Sequence, residues 1–537
     1  MVGEKPFPLL MKFVLERSVR LFPKQDIVDG DFRYTYRDAY VRMCSLANAI
    51  EDLEVEMGDK VATLAWNTHR HFELYWAVPC MGAVLHPVNM RLLQDQIVRV
   101  INHAEDKVIF LDSDFASLVE DLRRKLKTVE AYVVLTDKSG MPETKLEPVY
   151  EYEALLKKAP TKFEWPEFDE NAIATLGYTT GTTGEPKGAY FTHRMLFLHT
   201  LITTLPEAFS ITRYDTVLHI VPMFHAHSWG LPYDSTLVGA KQVFPGKFDP
   251  ETVMELIQRE RVTIIAAVPT VYAMMLEQPD ADKYDLSTIK YAFSGGAPTS
   301  SGLIKAFREK FGVQLITSYG LTETCPVLTK AHLKPHMRDL PVQRRDEVYS
   351  KTGLPLPGLD LKIVDERGEE VLHDGKTIGE IVVRGPYVTP AYYKDPERTA
   401  ESWDERGYFH TGDAAVVDDE GYVTIVDRYK DIIRSGGEII PSTLIDKVIE
   451  QHPAVVSCAT IAMPHEKWGE RPLACVVLMP EFKDKVTDEE IRKFCEDKMA
   501  KWQIPDAVLF LDSIPMTSAG KKDKKLLRTE KVWEHVN

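Results

Sequence analysis

The sequence predicts an α/β protein: a large N-terminal domain of layered sheets and helices with a barrel-like subdomain, then a small mobile α+β C-terminal domain. Three features predict it. Apolar runs rich in β-branched and aromatic residues alternate with helical patterns up to about residue 350. Short strands separated by acidic turns follow. A dense charge cluster, Asp427-Arg428-Tyr429-Lys430-Asp431, then stands between two apolar strands and marks a boundary.

In chain order, residues 61–64, 108–111, 132–135 and 262–268 read as strands, and 251–261 as the helix that feeds the last of them. Such alternation favours parallel sheets covered by helices. Residues 361–364, 381–383, 414–417 and 422–426 read as short strands, separated by turns such as Asp365-Glu366-Arg367-Gly368 and Asp418-Asp419-Glu420-Gly421. This pattern favours antiparallel or barrel-like pairing. The last hundred or so residues read as helix 442–451, strands 455–461 and 473–478, helix 488–501 and a polar tail. The domains expected are 1–427 and 433–537, with the boundary at 428–432.

The chain has 537 residues, 44% hydrophobic and 27% charged, ordinary values for a globular protein with large cores. The net charge of −16 argues against a nucleic-acid binder, which carries a basic footprint. The six cysteines form no CxxC pair, no zinc spacing and no disulfide framework, so reduced thiols in a cytoplasmic protein are expected. The N-terminus lacks a signal-peptide pattern. The longest apolar stretch, 262–276, contains Pro269 and is too short to span a bilayer.

The segment Tyr178-Thr179-Thr180-Gly181-Thr182-Thr183-Gly184-Glu185-Pro186-Lys187-Gly188 packs four threonines, three glycines and a lysine into eleven residues. It follows an apolar strand at 172–176. Glycines let backbone N–H groups approach phosphate oxygens. Threonine hydroxyls add donors and can face a magnesium ion. Lysine adds a mobile point charge. Such clusters are ordinarily polar surface loops; this ordered string favours phosphate binding. It is not a Walker A loop, because Pro186 precedes Lys187 and Gly188 follows it.

The string resembles the signature loop of the adenylate-forming superfamily: acyl- and aryl-CoA synthetases, peptide-synthetase adenylation domains and beetle luciferases. Further segments resemble that family's motifs in order. They are Val221-Pro222-Met223-Phe224-His225, Ser294-Gly295-Gly296-Ala297-Pro298, Ser318-Tyr319-Gly320-Leu321-Thr322-Glu323-Thr324, Tyr408-Phe409-His410-Thr411-Gly412-Asp413, the 427–438 segment DRYKDIIRSGGE, and Pro515-Met516-Thr517-Ser518-Ala519-Gly520-Lys521. Trp76-Ala77-Val78-Pro79 and Asn102-His103-Ala104-Glu105-Asp106 look closest to the fatty acyl-CoA synthetases.

The resemblance implies a reaction of two steps. A carboxylic acid and ATP give acyl-AMP and pyrophosphate; coenzyme A then takes the acyl group and AMP leaves. It implies that 179–187 wraps the β- and γ-phosphates, that Gly295, Gly296, Ala297, Ser318, Tyr319 and Gly320 border the nucleotide, and that Thr322 bonds the α-phosphate. Glu323, helped by Thr179, would hold Mg2+, a cation that takes oxygen ligands; a Glu after a Thr is otherwise a helix-capping pair. Asp413 would accept from the ribose hydroxyls. Arg428 would contact ribose or phosphate, with a surface ion pair as the alternative. Lys521 would stabilise charge building between carboxylate and α-phosphate, although it sits in a basic tail that otherwise reads as a solvated run or membrane-surface patch. Phe224, His225 and Trp229 would face the acyl group, His225 near its carboxylate and Trp229 as a gating aromatic. His227 has no implied role.

Lys430 resembles the hinge residue, and Gly436, Gly437 and Glu438 would line the coenzyme A tunnel. The two steps need different arrangements of the small domain, which gives a hinge its reason. The partners implied are a medium- or long-chain fatty acid, or else a short-chain, thioether or aryl acid, together with coenzyme A. No nucleic acid and no integral membrane segment are expected. The resemblance leaves room for peripheral membrane contact and a homodimer. An amino-acid-activating domain is disfavoured by His225, where such domains commonly carry Asp. A non-catalytic acyl-nucleotide sensor is disfavoured by the presence of Glu323 and Lys521.

Overall fold

The β-branched runs in the first part of the chain form two large sheets. In the computed structural model, residues 7–180, 186–436, 438–483, 485–516 and 522–535 are described. The first sheet has seven strands, in the order Val149–Glu151, Ala131–Val134, Asp106–Leu111, Lys60–Leu64, Val84–Pro87, Ile173–Thr180 and Pro186–Thr192. Its pairs are parallel from Val149–Glu151 through Ile173–Thr180. Parallel neighbours need crossover connections. One crossover is the helix His69–Cys80, whose residues are nearly all buried. A helix buried on nearly every side must pair the polar groups it carries inward. Its Phe72 ring lies 5.2 Å from Phe244 of the second sheet. Its buried Glu73 is paired with Arg42 at 2.7 Å and accepts from the Tyr152 hydroxyl at 2.5 Å.

The second sheet has nine strands, in the order Leu354–Pro355, Thr329–Lys330, Leu315–Tyr319, Tyr291–Ser294, Ile264–Ala267, Thr216–Leu218, Lys241–Phe244, Asp26–Asp29 and Phe32–Thr35. The pairs between Leu315–Tyr319 and Asp26–Asp29 are parallel, and the outer pairs antiparallel. Six adjacent parallel strands therefore end on one edge. Crevices outside the carboxyl ends of such strands are where ligands bind in α/β sheets.

Residues 7–179, 186–360 and 384–407 form one compact unit, and Thr180 with those described in 361–383 and 408–535 form a second. The second unit holds a four-stranded sheet, Asp360–Val364, Gly379–Arg384, Phe409–Val417 and Val423–Arg428, with antiparallel pairing through the last three. It also holds a five-stranded sheet built on the hairpin Val455–His465 and Gly469–Leu478. Among the described residues no helix is long and apolar enough to cross a membrane.

Two elements differ from expectation. The strand before the glycine-rich loop runs to Thr180 rather than ending at 176, and the next begins at Pro186. Threonine's β-branch suits an extended backbone, so the loop's first threonines are strand. The helix expected to reach 501 is Asp488–Glu496. Beyond it Lys498 and Met499 N–H both turn back to the Cys495 carbonyl, and Ala500 is extended with ψ 145.

The tail is also less solvated than its charge suggests. Lys524 is buried, donating to Asp446 Oδ2 at 2.6 Å and to Ser442 Oγ at 2.7 Å. Burial holds the Asp446 carboxyl above its ordinary range against the pull of Lys524. Removing one member of such a pair strands the other's charge. Lys524→Met is therefore expected to cost about 3–5 kcal/mol of unfolding free energy, read as a lowered urea midpoint. Adding Asp446→Leu should restore part of it.

Candidate active site

The loops at the carboxyl ends of the second sheet are held by close backbone approaches. Strand Tyr291–Ser294 delivers Gly295, where a Cβ would stand 2.7 Å from the Ser318 carbonyl oxygen and 2.9 Å from the Trp229 ring. Strand Leu315–Tyr319 delivers Gly320, where a Cβ would overlap the Pro326 carbonyl at 1.4 Å. No other residue fits either place. Gly296 and Ala297 are exposed beside them. Tyr319 is half-buried, and Ser318 is buried with its hydroxyl unpartnered among the described residues.

After Gly320 the chain makes a single 3-10 turn, Thr322–Thr324, which presents Glu323. The first sheet meets it there. A Cβ on Gly177, in strand Ile173–Thr180, would lie 3.6 Å from both Thr322 Cγ2 and His227 Cε1. Thr322, His227 and the strand carrying Thr179 therefore converge. Thr179 is half-buried and Thr180 closes the strand; Gly181, Thr182, Thr183 and Gly184 lie outside the described residues.

Glu323 is buried, 7% exposed, and Oε1 accepts from the Tyr392 hydroxyl at 2.9 Å. Lys187 Nζ sits 4.6 Å from the centre of the Tyr392 ring. Burial lowers the Lys187 pKa, and the charge of Glu323 opposes that. Sequence reasoning missed Tyr392. The only signal was an aromatic-rich segment, Tyr387 to Tyr393, with no charged group of its own.

The 221–225 segment follows Thr216–Leu218. Phe224 is buried and His225 exposed. Next come left-handed residues: Ala226 φ 44°, His227 55°, Ser228 53°, Trp229 57°, then Gly230 80°. Each non-glycine residue in that conformation costs about 1–2 kcal/mol. Ser228 Oγ donating to the Val221 carbonyl at 2.8 Å and the burial of Trp229 help offset it. His227 is buried with neither ring nitrogen partnered among the described residues, its ring 5.3 Å from Phe191. Burial pushes its pKa down to about 3, so the imidazole is neutral.

In the second unit, Asp413 and Arg428 face each other across antiparallel strands and pair at 2.8 Å. Lys430 is exposed within the 3-10 turn Tyr429–Asp431. Asp427 is buried and accepts from Ser442 Oγ at 2.7 Å. Gly436 has φ +61°, and a Cβ there would meet the Trp468 ring at 2.6 Å. Glu438 is exposed; Gly437 lies outside the described residues, as does Lys521 with Thr517, Ser518, Ala519 and Gly520. Both ends of the Lys521 segment are held. Met516 bridges Lys522, Asp523 N–H donates to the Pro515 carbonyl at 2.8 Å, and Lys522 pairs with Glu450.

Among the described residues no group of three or more His, Cys, Asp and Glu side chains forms a metal cage. A site built on Glu323 suits Mg2+, which is commonly held by one or two carboxylates and substrate phosphates.

Known proteins resemble this chain in sequence and fold. The family model for the AMP-binding enzyme matches residues 15–393, and that for the AMP-binding enzyme C-terminal domain matches 444–521. A long-chain-fatty-acid–CoA ligase of Thermus thermophilus is 43% identical over 96% of this chain and 94% of its own. A 3-methylmercaptopropionyl-CoA ligase of Ruegeria lacuscaerulensis is 36% identical over 97% of each chain. The crystal structure of ATP-bound MatB from Rhodopseudomonas palustris superposes with a TM-score of 0.80 at 26% identity, over 98% of this chain and 99% of that one. The loops at the strand ends and both halves of the match agree, and the chain belongs to the AMP-binding enzyme family as an AMP-forming acyl-CoA ligase.

Proposed function

We propose that the protein adenylates a medium- or long-chain fatty acid and passes the acyl group to coenzyme A, with the first step centred where Thr179, Lys187, Thr322 and Glu323 gather. The observation that carries this reading is the meeting of strand Ile173–Thr180 with Thr322 at Gly177. It brings the strand that carries Thr179 up to the turn that presents the buried Glu323. Carboxylate and ATP are both anions, so the site must neutralise charge and hold them in line.

In this reading Lys187 and the 179–184 segment bind the β- and γ-phosphates, and Thr322 donates to the α-phosphate. Gly295, Gly296, Ala297, Ser318, Tyr319 and Gly320 border the base and sugar. Glu323 and Thr179 hold Mg2+, which when bound offsets phosphate charge. Asp413 accepts from the ribose, and Arg428, paired with it, sets that carboxylate's orientation. Lys521 serves the adenylation step. Phe224, His225 and Trp229 border the acyl group. Gly436, Gly437 and Glu438 line the coenzyme A path, and Lys430 lies in the hinge between domains 1–427 and 433–537. Cytoplasmic placement is supported by free, buried thiols at all six cysteines. A homodimer and peripheral membrane contact rest on the resemblance alone.

The fatty-acid reading is supported by similarity to the long-chain ligase. A thioether or short-chain acid is the second reading, supported by the 3-methylmercaptopropionyl-CoA ligase. A panel of carboxylic acids, assayed for AMP release with and without coenzyme A, separates them. Fatty acids of eight or more carbons should give the highest kcat/KM; a maximum at three to five carbons would establish the second reading instead. With Trp229 as the gating aromatic of the acyl path, Trp229→Ala should shift that chain-length profile. An unaltered profile removes Trp229 from the acyl path.

A further inference from the structure

Tyr392 touches two charged members of the site. Its hydroxyl donates to Glu323 Oε1 at 2.9 Å, and Lys187 Nζ lies 4.6 Å from its ring centre. The backbone around it repeats both connections. Thr389 N–H donates to the Glu323 carbonyl at 2.8 Å, and Tyr393 N–H to the Gly188 carbonyl at 2.7 Å. Tyr392 also bridges Ala189 in antiparallel fashion. Its own N–H is fixed to Thr399 Oγ1 at 3.0 Å. The ring is 5% exposed. A phenol hydroxyl supplies the donor that a carboxylate lacks.

A phenol that donates to a carboxylate makes a charge-assisted bond. The last torsion of a glutamate is otherwise broad, and a metal ligand that rotates binds its ion less well. Groups behind metal ligands commonly govern affinity for this reason. The aromatic face beneath Lys187 adds a second constraint, since an ammonium over a ring is attracted to it.

We propose that Tyr392 is a positioning residue for adenylation: its hydroxyl fixes the plane of the Glu323 carboxylate for Mg2+, and its ring parks Lys187 beside the phosphates. The proposal rests on the assignment of Glu323 to the metal.

Two substitutions separate the two contacts. Tyr392→Phe keeps the ring and removes the hydroxyl. Tyr392→Leu removes both. Mn2+ binding to the enzyme with a non-hydrolysable ATP analogue, followed by electron paramagnetic resonance, reads the metal site directly. Tyr392→Phe should weaken it about tenfold, with little change in the KM for ATP at saturating metal. Tyr392→Leu should raise that KM as well. Conversion of supplied acyl-AMP to thioester should be retained by both, which also reports on folding. If Glu323→Gln loses Mn2+ while Tyr392→Phe binds it as the parent does, the positioning role is overturned and the metal assignment stands. If neither variant weakens Mn2+ binding, both fall. If Tyr392→Phe loses the thioester step in equal proportion, the role is overturned too, because the effect is then not specific to adenylation.

Discussion

Lys521→Ala is expected to abolish acid-dependent pyrophosphate release while leaving the conversion of supplied acyl-AMP to acyl-CoA near the parental rate. The reason is electrostatic. Attack of a carboxylate on the α-phosphate builds negative charge between two anions, and a cation placed there acts mainly on the transition state. Removing one such group costs about two to three orders of magnitude in kcat. The second step has a thiol nucleophile and an AMP leaving group and makes no demand on that cation. The measurement is a pair of half-reactions: pyrophosphate release with acid and ATP, and thioester formation from acyl-AMP. Normal pyrophosphate release would remove Lys521 from the first step.

The described residues that follow Lys521 carry anchors of their own. Lys522 pairs with Glu450, Lys524 with Asp446 and Ser442, and Arg528 with Asp431 at 2.6 Å. Loss of the Lys521 ammonium leaves each of these intact. The urea midpoint of Lys521→Ala should therefore match the parent, whereas that of Lys524→Met should fall.

Local chemistry made the fold largely legible. Runs such as 108–111 and 132–135 are β-branched or aromatic at nearly every position, and they lie in adjacent parallel strands. Glycines in ordered motifs marked the site, because Gly295 and Gly320 sit where a Cβ would strike a neighbouring backbone. Three features depended on partners distant in sequence and left no local mark. Tyr392 meets Glu323 across a separation of 69 residues. Lys524 looked like part of a solvated run until strand and helix packing put Asp446 and Ser442 around it. The left-handed run at Ala226 to Gly230 contains one glycine only, so its strain could not be read from composition. Strain of this kind persists where surrounding structure over-determines it, and here it turns His227 and Trp229 inward while His225 stays exposed.

Glu323→Gln is expected to lower adenylation by about two orders of magnitude, with the thioester half-reaction retained. Glutamine keeps the shape of the side chain and its ability to accept from the Tyr392 hydroxyl, so the 3-10 turn at Thr322–Thr324 and the Thr389 contact to the Glu323 carbonyl should persist. What it removes is the charge. An amide oxygen is a weaker ligand for a hard cation than a carboxylate, and ATP alone then leaves more uncompensated phosphate charge. Lys187 gives a second consequence. Glu323 raises the pKa of that lysine against the lowering effect of burial, so in Glu323→Gln the ammonium should lose its proton at lower pH. The alkaline limb of the adenylation profile, measured at saturating magnesium, should move toward neutrality relative to the parent. A variant with parental rates and a parental alkaline limb would sever Glu323 from both the metal and the lysine. A slowed rate with an unmoved limb would keep the metal role and place Lys187 outside its field.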